Sequence, residues 1–144
     1  MATVLKGARG GVNHLTLSVS DLAACETAFY TPVLTELGYE KVEEHEGQFT
    51  VWFNASAVTA ISLSQAERKH DGPYDRYKPG FHHFAFWADS PEDVDAFHDK
   101  LVGWGIPVLD APAAYPEYGS GYYAVFFADP DGLKFELTYQ TIEA

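Results

Sequence analysis

The sequence predicts an α+β fold made of two tandem βαβββ modules. Three observations predict it: two halves that read alike, strand-like alternation on either side of one amphipathic segment in each half, and Gly/Pro punctuation between the segments. The first half opens with Asn13-His14-Leu15-Thr16-Leu17-Ser18-Val19-Ser20-Asp21-Leu22 and the second with His82-His83-Phe84-Ala85-Phe86-Trp87-Ala88-Asp89-Ser90-Pro91. Each stretch is a histidine, an alternating strand, then a helix start. A repeat of roughly 70 residues is too long for a solenoid array and points to duplication of one supersecondary unit.

In the first half, residues 12–20 read as a strand, because Leu15, Leu17 and Val19 alternate with His14, Thr16 and Ser18. Ser20 or Asp21 can cap a helix running to about Leu37, with Gly38 as its stop. Strands follow near 39–45, 48–54 and 57–65, the first two joined by a turn at Glu46-Gly47. Residues 66–80 are charged, contain Gly72, Pro73, Pro79 and Gly80, and read as a linker. In the second half a strand spans 81–88. Ser90-Pro91-Glu92-Asp93 starts a helix, with serine as cap, proline in the first turn and acids near the positive helix end. That helix ends by Gly103 or Gly105. A short strand near 106–110, a Pro/Tyr/Gly-rich loop over 111–121, and strands at 122–128 and 132–140 complete the module. Asp129-Pro130-Asp131-Gly132 makes the last turn. The whole is one domain over residues 10–140, with module one at about 10–65 and module two at about 81–140.

Composition narrows the function. The 144 residues suit one compact domain or two small modules, and 47% hydrophobic content is ample for a core. No run of about 18 apolar residues exists to span a membrane, and the N-terminus does not read as a secretory signal. The single cysteine, Cys25, cannot form an internal disulfide, which fits a reducing cytoplasm. It reads as a small core residue of the first helix. A net charge of −12 repels phosphate backbones, so nucleic acid is not an expected partner.

Strand parity locates a candidate site. His14, Thr16 and Ser18 share one face. Ala60, Ser62 and Ser64 oppose Ile61 and Leu63, His83, Ala85 and Trp87 oppose Phe84 and Phe86, and Glu136 and Thr138 oppose Phe135 and Leu137. In each strand the apolar set belongs under the helix, and the polar or small face carries the ligand-type residues. A lone strand histidine reads most simply as structure. Two imidazoles and a carboxylate on the same face of repeat-related strands instead suggest a facial triad for a divalent metal.

These motifs, with Gly80-Phe81-His82-His83-Phe84-Ala85-Phe86 and Asp129-Pro130-Asp131-Gly132-Leu133-Lys134-Phe135-Glu136-Leu137, resemble the vicinal oxygen chelate (VOC) superfamily. That superfamily includes glyoxalase I, extradiol dioxygenases, fosfomycin-resistance thiol transferases and bleomycin-binding proteins. The resemblance covers about residues 10–140. It implies a cup-shaped curved mixed sheet around one divalent metal, often completed by a second chain. The implied ligands are His14, His83 and Glu136. His83 is preferred over His82 because it immediately precedes the apolar-Ala pair, and because parity sends His82 to the helix side as partly buried structure.

Three protein ligands leave about three positions on an octahedral ion for a substrate with neighbouring oxygens. The mixed N/O set suits Fe, Mn, Ni, Co or Zn. The resemblance implies a glyoxalase-like lyase or isomerase, or a ring-cleaving dioxygenase. The alternative is a protein that sequesters a small antibiotic-like compound. Glyoxalase I places a further ligand and base where this chain has Ser62, and serine is no base near neutral pH. The fosfomycin enzymes need a potassium loop and a basic phosphonate pocket after the last strand, where no arginine precedes Ala144. Dioxygenases add a histidine acid/base, for which His70 is the one loose candidate. His45 and His98 read as surface residues. Thr16, Ser62, Trp87, Tyr122 and Tyr123 are candidate substrate contacts. Tyr115, Tyr118, Tyr122 and Tyr123 could line a substrate mouth, or serve edge packing or a dimer contact. Arg76 and Lys78 could meet an anionic substrate group or stand as a solvated loop. A homodimer is expected, since a sheet with one open polar face and free edges invites closure by a neighbour.

Overall fold

A computed structural model describes residues 2–144. It forms two compact units, the first ending at Lys69 and the second starting at His70, so the boundary falls inside the expected linker. Each unit is one four-stranded mixed sheet with helix on one face. The strand order is β1-β4-β3-β2 in the first and β5-β8-β7-β6 in the second, the same βαβββ topology twice.

In the first unit, β1 (His14–Val19) runs parallel to β4 (Thr59–Gln65), which pairs antiparallel with β3 (Phe49–Asn54), and that with β2 (Glu40–His45). The alternation holds: Leu17, Val19, Ile61 and Leu63 are buried, while His14, Thr16 and Ser18 are exposed. Edge strand β2 is exposed throughout, and its glutamates and Lys41 guard the edge against further pairing. The helix differs from the uninterrupted one predicted. Asp21 caps α1 (Leu22–Cys25) by accepting from the Ala24 N–H at 3.0 Å. A π turn over Glu26–Tyr30 follows, in which the Thr31 N–H reaches back to the Glu26 carbonyl, and then α2 (Thr31–Glu36). Pro32 lacks an N–H and its ring crowds the carbonyl one turn back, so a widened turn just ahead of it lets the helix continue.

The π turn carries Glu26 inward to the underside of β3. Its carboxylate, 7% exposed, accepts from Thr50 Oγ1 at 3.0 Å and Trp52 Nε1 at 2.9 Å, and pairs with Lys41 Nζ at 3.3 Å. A buried acid is tolerable only when satisfied in this way. Cys25 packs beside it in the core, with Phe29, Tyr30, Val33 and Leu34.

In the second unit, β5 (Phe84–Trp87) is shorter than the predicted 81–88 and runs parallel to β8 (Lys134–Tyr139). The helix α3 (Pro91–Gly103) is capped by Ser90 as expected, with Ser90 Oγ accepting from the Asp93 N–H at 3.1 Å. Both helical segments end on the same device: Gly38 and Gly105 take positive φ, and the next N–H returns to a carbonyl five residues back (Tyr39 to Leu34, 2.8 Å; Ile106 to Leu101, 3.0 Å). Edge strand β6 (Val108–Ala114) outruns the predicted 106–110. It accommodates Pro112 through two register irregularities against β7 (Tyr123–Ala128), as edge strands can. Unlike β1 and β4, strands β7 and β8 are buried on both faces.

The segment after His70 is docked rather than a free linker. Its Tyr74 N–H bonds the Asp131 carbonyl at 2.9 Å, and the Tyr74 hydroxyl donates to the Phe81 carbonyl at 2.7 Å. Gly132 permits this, since its φ is +85° and a Cβ there would stand 3.1 Å from Pro73. The Asp129 carboxylate accepts the Asp131 and Leu133 N–H groups and closes the predicted turn. Among the described residues no helix is long and apolar enough to cross a membrane.

Replacing Glu26 by alanine would leave the buried Thr50 and Trp52 donors unmatched. Glu26→Ala is expected to lower the unfolding free energy by about 2–3 kcal/mol in urea denaturation.

Candidate metal centre

His14 and Glu136 sit on the helix-distal faces, where the pairing registers place them, and His83, one residue before β5, reaches the Glu136 carboxylate. In the first unit His14 opposes Ala60 and Thr16 opposes Ser62. In the second, Ala85 opposes Glu136. Counting two residues on from His14 and from His83 therefore reaches Thr16 and Ala85, whose partners are Ser62 and Glu136. The fold makes Ser62 the counterpart of Glu136, and the Ser62 hydroxyl is engaged, donating to the Thr50 carbonyl at 3.0 Å.

Glu136 is the centre of the second unit's polar face. It is 1% exposed, and Oε1 lies 3.2 Å from His83 Nε2. Its other oxygen accepts from the Tyr122 hydroxyl. Burial first, and the bond to Glu136 second, push the Tyr122 phenol up to about 12, so it remains a donor across the ordinary pH range. Beneath lies Phe126, the cross-strand neighbour of Glu136, with its ring 6.1 Å from His83 and 5.7 Å from Tyr115. Tyr115 stacks on Tyr118 at 5.3 Å, and both meet Tyr122 edge-on. These rings explain why β8 is buried on both faces.

This donor set fits a divalent ion. Two ligands on adjacent corners of an octahedron, each at about 2.1 Å from the metal, stand about 3 Å apart. The 3.2 Å between His83 Nε2 and Glu136 Oε1 is close to that spacing. A carboxylate so deeply buried, with no Lys or Arg among the described residues bonded to it, also favours a cation. Among the described residues no group of three or more His, Cys, Asp or Glu is arranged to hold a metal. The structure thus brings His83 and Glu136 together, while His14 belongs to the first unit. There His14 Nδ1 lies 2.8 Å from Asn13 Oδ1. A carbonyl acceptor at Nδ1 sets the tautomer in which Nε2 keeps its lone pair.

Two sequence expectations are corrected. His82 is exposed, not partly buried on the helix side. It precedes the first paired residue of β5, so strand alternation does not govern it, and its Nδ1 stands 2.8 Å from His83 Nδ1. Tyr123 faces the helix, bonding Asp95 Oδ1 of α3 at 2.7 Å, and so lies on the face opposite Glu136. Period-two alternation along 122–128 separates Tyr122 from Tyr123 and could have shown this. Thr16 and Trp87 are exposed on their strands, Trp87 at 65%. His45 pairs with Glu43 at 2.8 Å and stacks on Phe49, and His70 rests edge-on against Tyr74. The Asn13 and His82 partners were missed because both residues lie just before a strand begins; Phe126 shares the face of Tyr122 by the same alternation, but its place under Glu136 needed the cross-strand register.

Two copies of one βαβββ topology, each presenting a polar face away from its helix, define the class: α+β proteins made by duplication of a single unit. Residues 11–137 match the Glyoxalase/Bleomycin resistance protein/Dioxygenase superfamily, and the chain belongs to this VOC superfamily. It is similar to the uncharacterised protein YqjT of Bacillus subtilis, at 32% identity over 88% of this chain and 96% of that one. It is also similar to the metallothiol transferase FosB of Bacillus licheniformis, at 30% identity over 88% of this chain and 73% of that one. A solved structure from Bacillus halodurans, provisionally named a glyoxalase, superposes with a TM-score of 0.75 at 29% identity, over 90% of this chain and 96% of that one.

Tyr122→Phe is expected to leave the buried Glu136 oxygen without its donor and to lower the unfolding free energy by about 1–3 kcal/mol. Because the folded phenol is raised above its ordinary 10.0, the wild-type advantage should be complete below pH 10 and vanish as the pH climbs through about 12. Urea midpoints of both proteins at successive pH values measure it.

Proposed function

We propose that the protein is a divalent-metal-dependent enzyme holding one ion through His83 and Glu136, with His14, of the same chain or of a second copy, as the third ligand that the VOC resemblance implies. Its substrate is a small molecule that chelates the ion through neighbouring oxygens. The observation that carries the proposal is the 3.2 Å approach of His83 Nε2 to the buried Glu136 carboxylate. The mixed N/O donors suit Fe, Mn, Ni, Co or Zn. When bound, such an ion supplies Lewis-acid polarisation of the chelated oxygens.

The residues of this chain do the positioning. Tyr122 keeps one Glu136 oxygen occupied and aims the other at His83. Asn13 orients His14. Tyr115, Tyr118 and Phe126 bank the Glu136 face with aromatic surface that excludes water. The counterpart of Glu136 in the first unit is Ser62, which brings no carboxylate to accept a substrate proton. This favours transfer of a thiol, the chemistry named in the metallothiol transferase relative, over proton-shuttling isomerisation.

Elemental analysis of purified protein is expected to find one divalent ion per chain, and His83→Ala to lose it while keeping the folded circular dichroism spectrum. Full metal occupancy in His83→Ala would overturn the ligand assignment, and loss confined to His82→Ala would move it to the neighbour. The wild-type protein is expected to isomerise the methylglyoxal–glutathione adduct weakly or not at all, since one positioned general base contributes about 10²–10⁴-fold. Rapid isomerisation would show that a residue other than Ser62 provides the base.

A further inference from the structure

Arg76 lacks the partner its surroundings should offer. The chain has 21 acidic residues against nine lysines and arginines, yet no carboxylate among the described residues pairs with this guanidinium. Arg76 is half-buried, and its Nε is enclosed without any hydrogen-bond acceptor. Its charge rests instead 5.2 Å from the Tyr77 ring centre. Tyr77 meets the His82 ring edge-on at 5.9 Å, and His82 touches His83.

A second cation in the same state approaches His83 through another ring. Lys134 has no ion pair among the described residues, and its Nζ lies 4.5 Å from the centre of Phe126, the ring that also meets His83. Lys134 precedes Glu136 by two residues on β8, so both side chains leave the sheet on the same face. Cations held over aromatic faces are oriented but not neutralised. Two of them, each one ring away from the His82–His83 pair, leave a local positive field in a strongly acidic protein.

We propose that Arg76 and Lys134 form an anion subsite beside His83 that receives an oxyacid group, a carboxylate or a phosphate-type group, carried by the substrate. The inference rests on the proposed reading of His83 and Glu136 and names the substrate class for that site. The guanidinium fork suits two oxygens of one acid group, and the lysine adds a point charge. The net charge of −12 repels anions at long range, so a ligand that lodges here is selected by these two contacts. Lys78 has no such ring placing it, and the subsite does not include it.

The test uses full-length, metal-free protein, so that it does not depend on the metal reading. Inorganic phosphate and acetate are titrated while amide shifts of the His82–Phe84 segment are followed by NMR. Binding is expected with both anions. Tighter binding of phosphate assigns a tetrahedral group, and tighter binding of acetate a planar carboxylate. Arg76→Gln and Lys134→Gln should each weaken the preferred anion by about tenfold, the loss of one charge-assisted contact. Arg76→Lys, which keeps the charge without the fork, should fall between. Lys100→Gln, on the exposed face of α3, should change affinity by less than about twofold. The subsite is overturned if wild-type protein shows no saturable binding, if Arg76→Gln and Lys134→Gln bind like wild type, or if Lys100→Gln weakens binding as much as they do. Protein that takes up no divalent ion when one is added back, with the anion response intact, would overturn the metal reading and leave the subsite standing.

Discussion

In each unit the first strand lies parallel to the last, and that pairing constrains everything else. Parallel neighbours cannot be joined by a tight turn, so the chain must cross over, and the helix of each unit belongs to that crossover. The helix covers one face of the sheet. Apolar residues of period two fill that face: Leu17, Val19, Ile61 and Leu63 in one unit, Phe86, Phe135 and Leu137 in the other. Every residue of opposite parity is delivered to the other face. His14, Thr16 and Ser62 arrive there together, as do Ala85 and Glu136. A slip of one residue in either register would exchange core and site.

Duplication of this unit let the halves diverge at one position with chemical consequence. Ser62 and Glu136 occupy equivalent places opposite equivalent residues. In the first unit the hydroxyl is spent on a backbone carbonyl. In the second the carboxylate is buried, held by Tyr122 and close to His83. A buried carboxylate is costly, and it persists only where donors or a cation meet it. The first unit has its own buried acid, Glu26, but on the helix side and matched by Thr50, Trp52 and Lys41. The two acids differ in what remains open. Glu26 is closed by its neighbours, while Glu136 faces an imidazole whose other contact is a second imidazole.

Charge illustrates why an average conceals a site. The net charge of −12 argues against anionic partners at the level of the whole molecule. Near His83, Arg76 and Lys134 lie against rings instead of carboxylates. Arg76 reaches that place because the chain after His70 is tied to the Asp129–Gly132 turn through Tyr74, so a stretch with linker-like composition becomes a wall of the second unit.

The sequence alone determined the two-unit α+β topology, the helix cap at Ser90, the stop at Gly38, the last turn, and the faces of His14, Ser62 and Glu136, while Ser20 or Asp21 and Gly103 or Gly105 stayed open until the structure chose Asp21 and Gly105. Each of these depends on near neighbours or on a period of two or 3.6, and local order carries that information. Tertiary structure decided the rest. The widened turn at Glu26 answers both Pro32 and the buried donors of β3. The exposure of His82 follows from β5 pairing no earlier than Phe84. The assignment of Tyr122 to Glu136 and of Tyr123 to Asp95 came from the strand running between a tyrosine-rich loop and a helix. Phe126 of β7, the ring under Lys134, meets His83 from more than forty positions away along the chain. Such contacts are set by which surfaces remain to be covered once the sheets have formed, a property of the folded chain that no window of sequence contains.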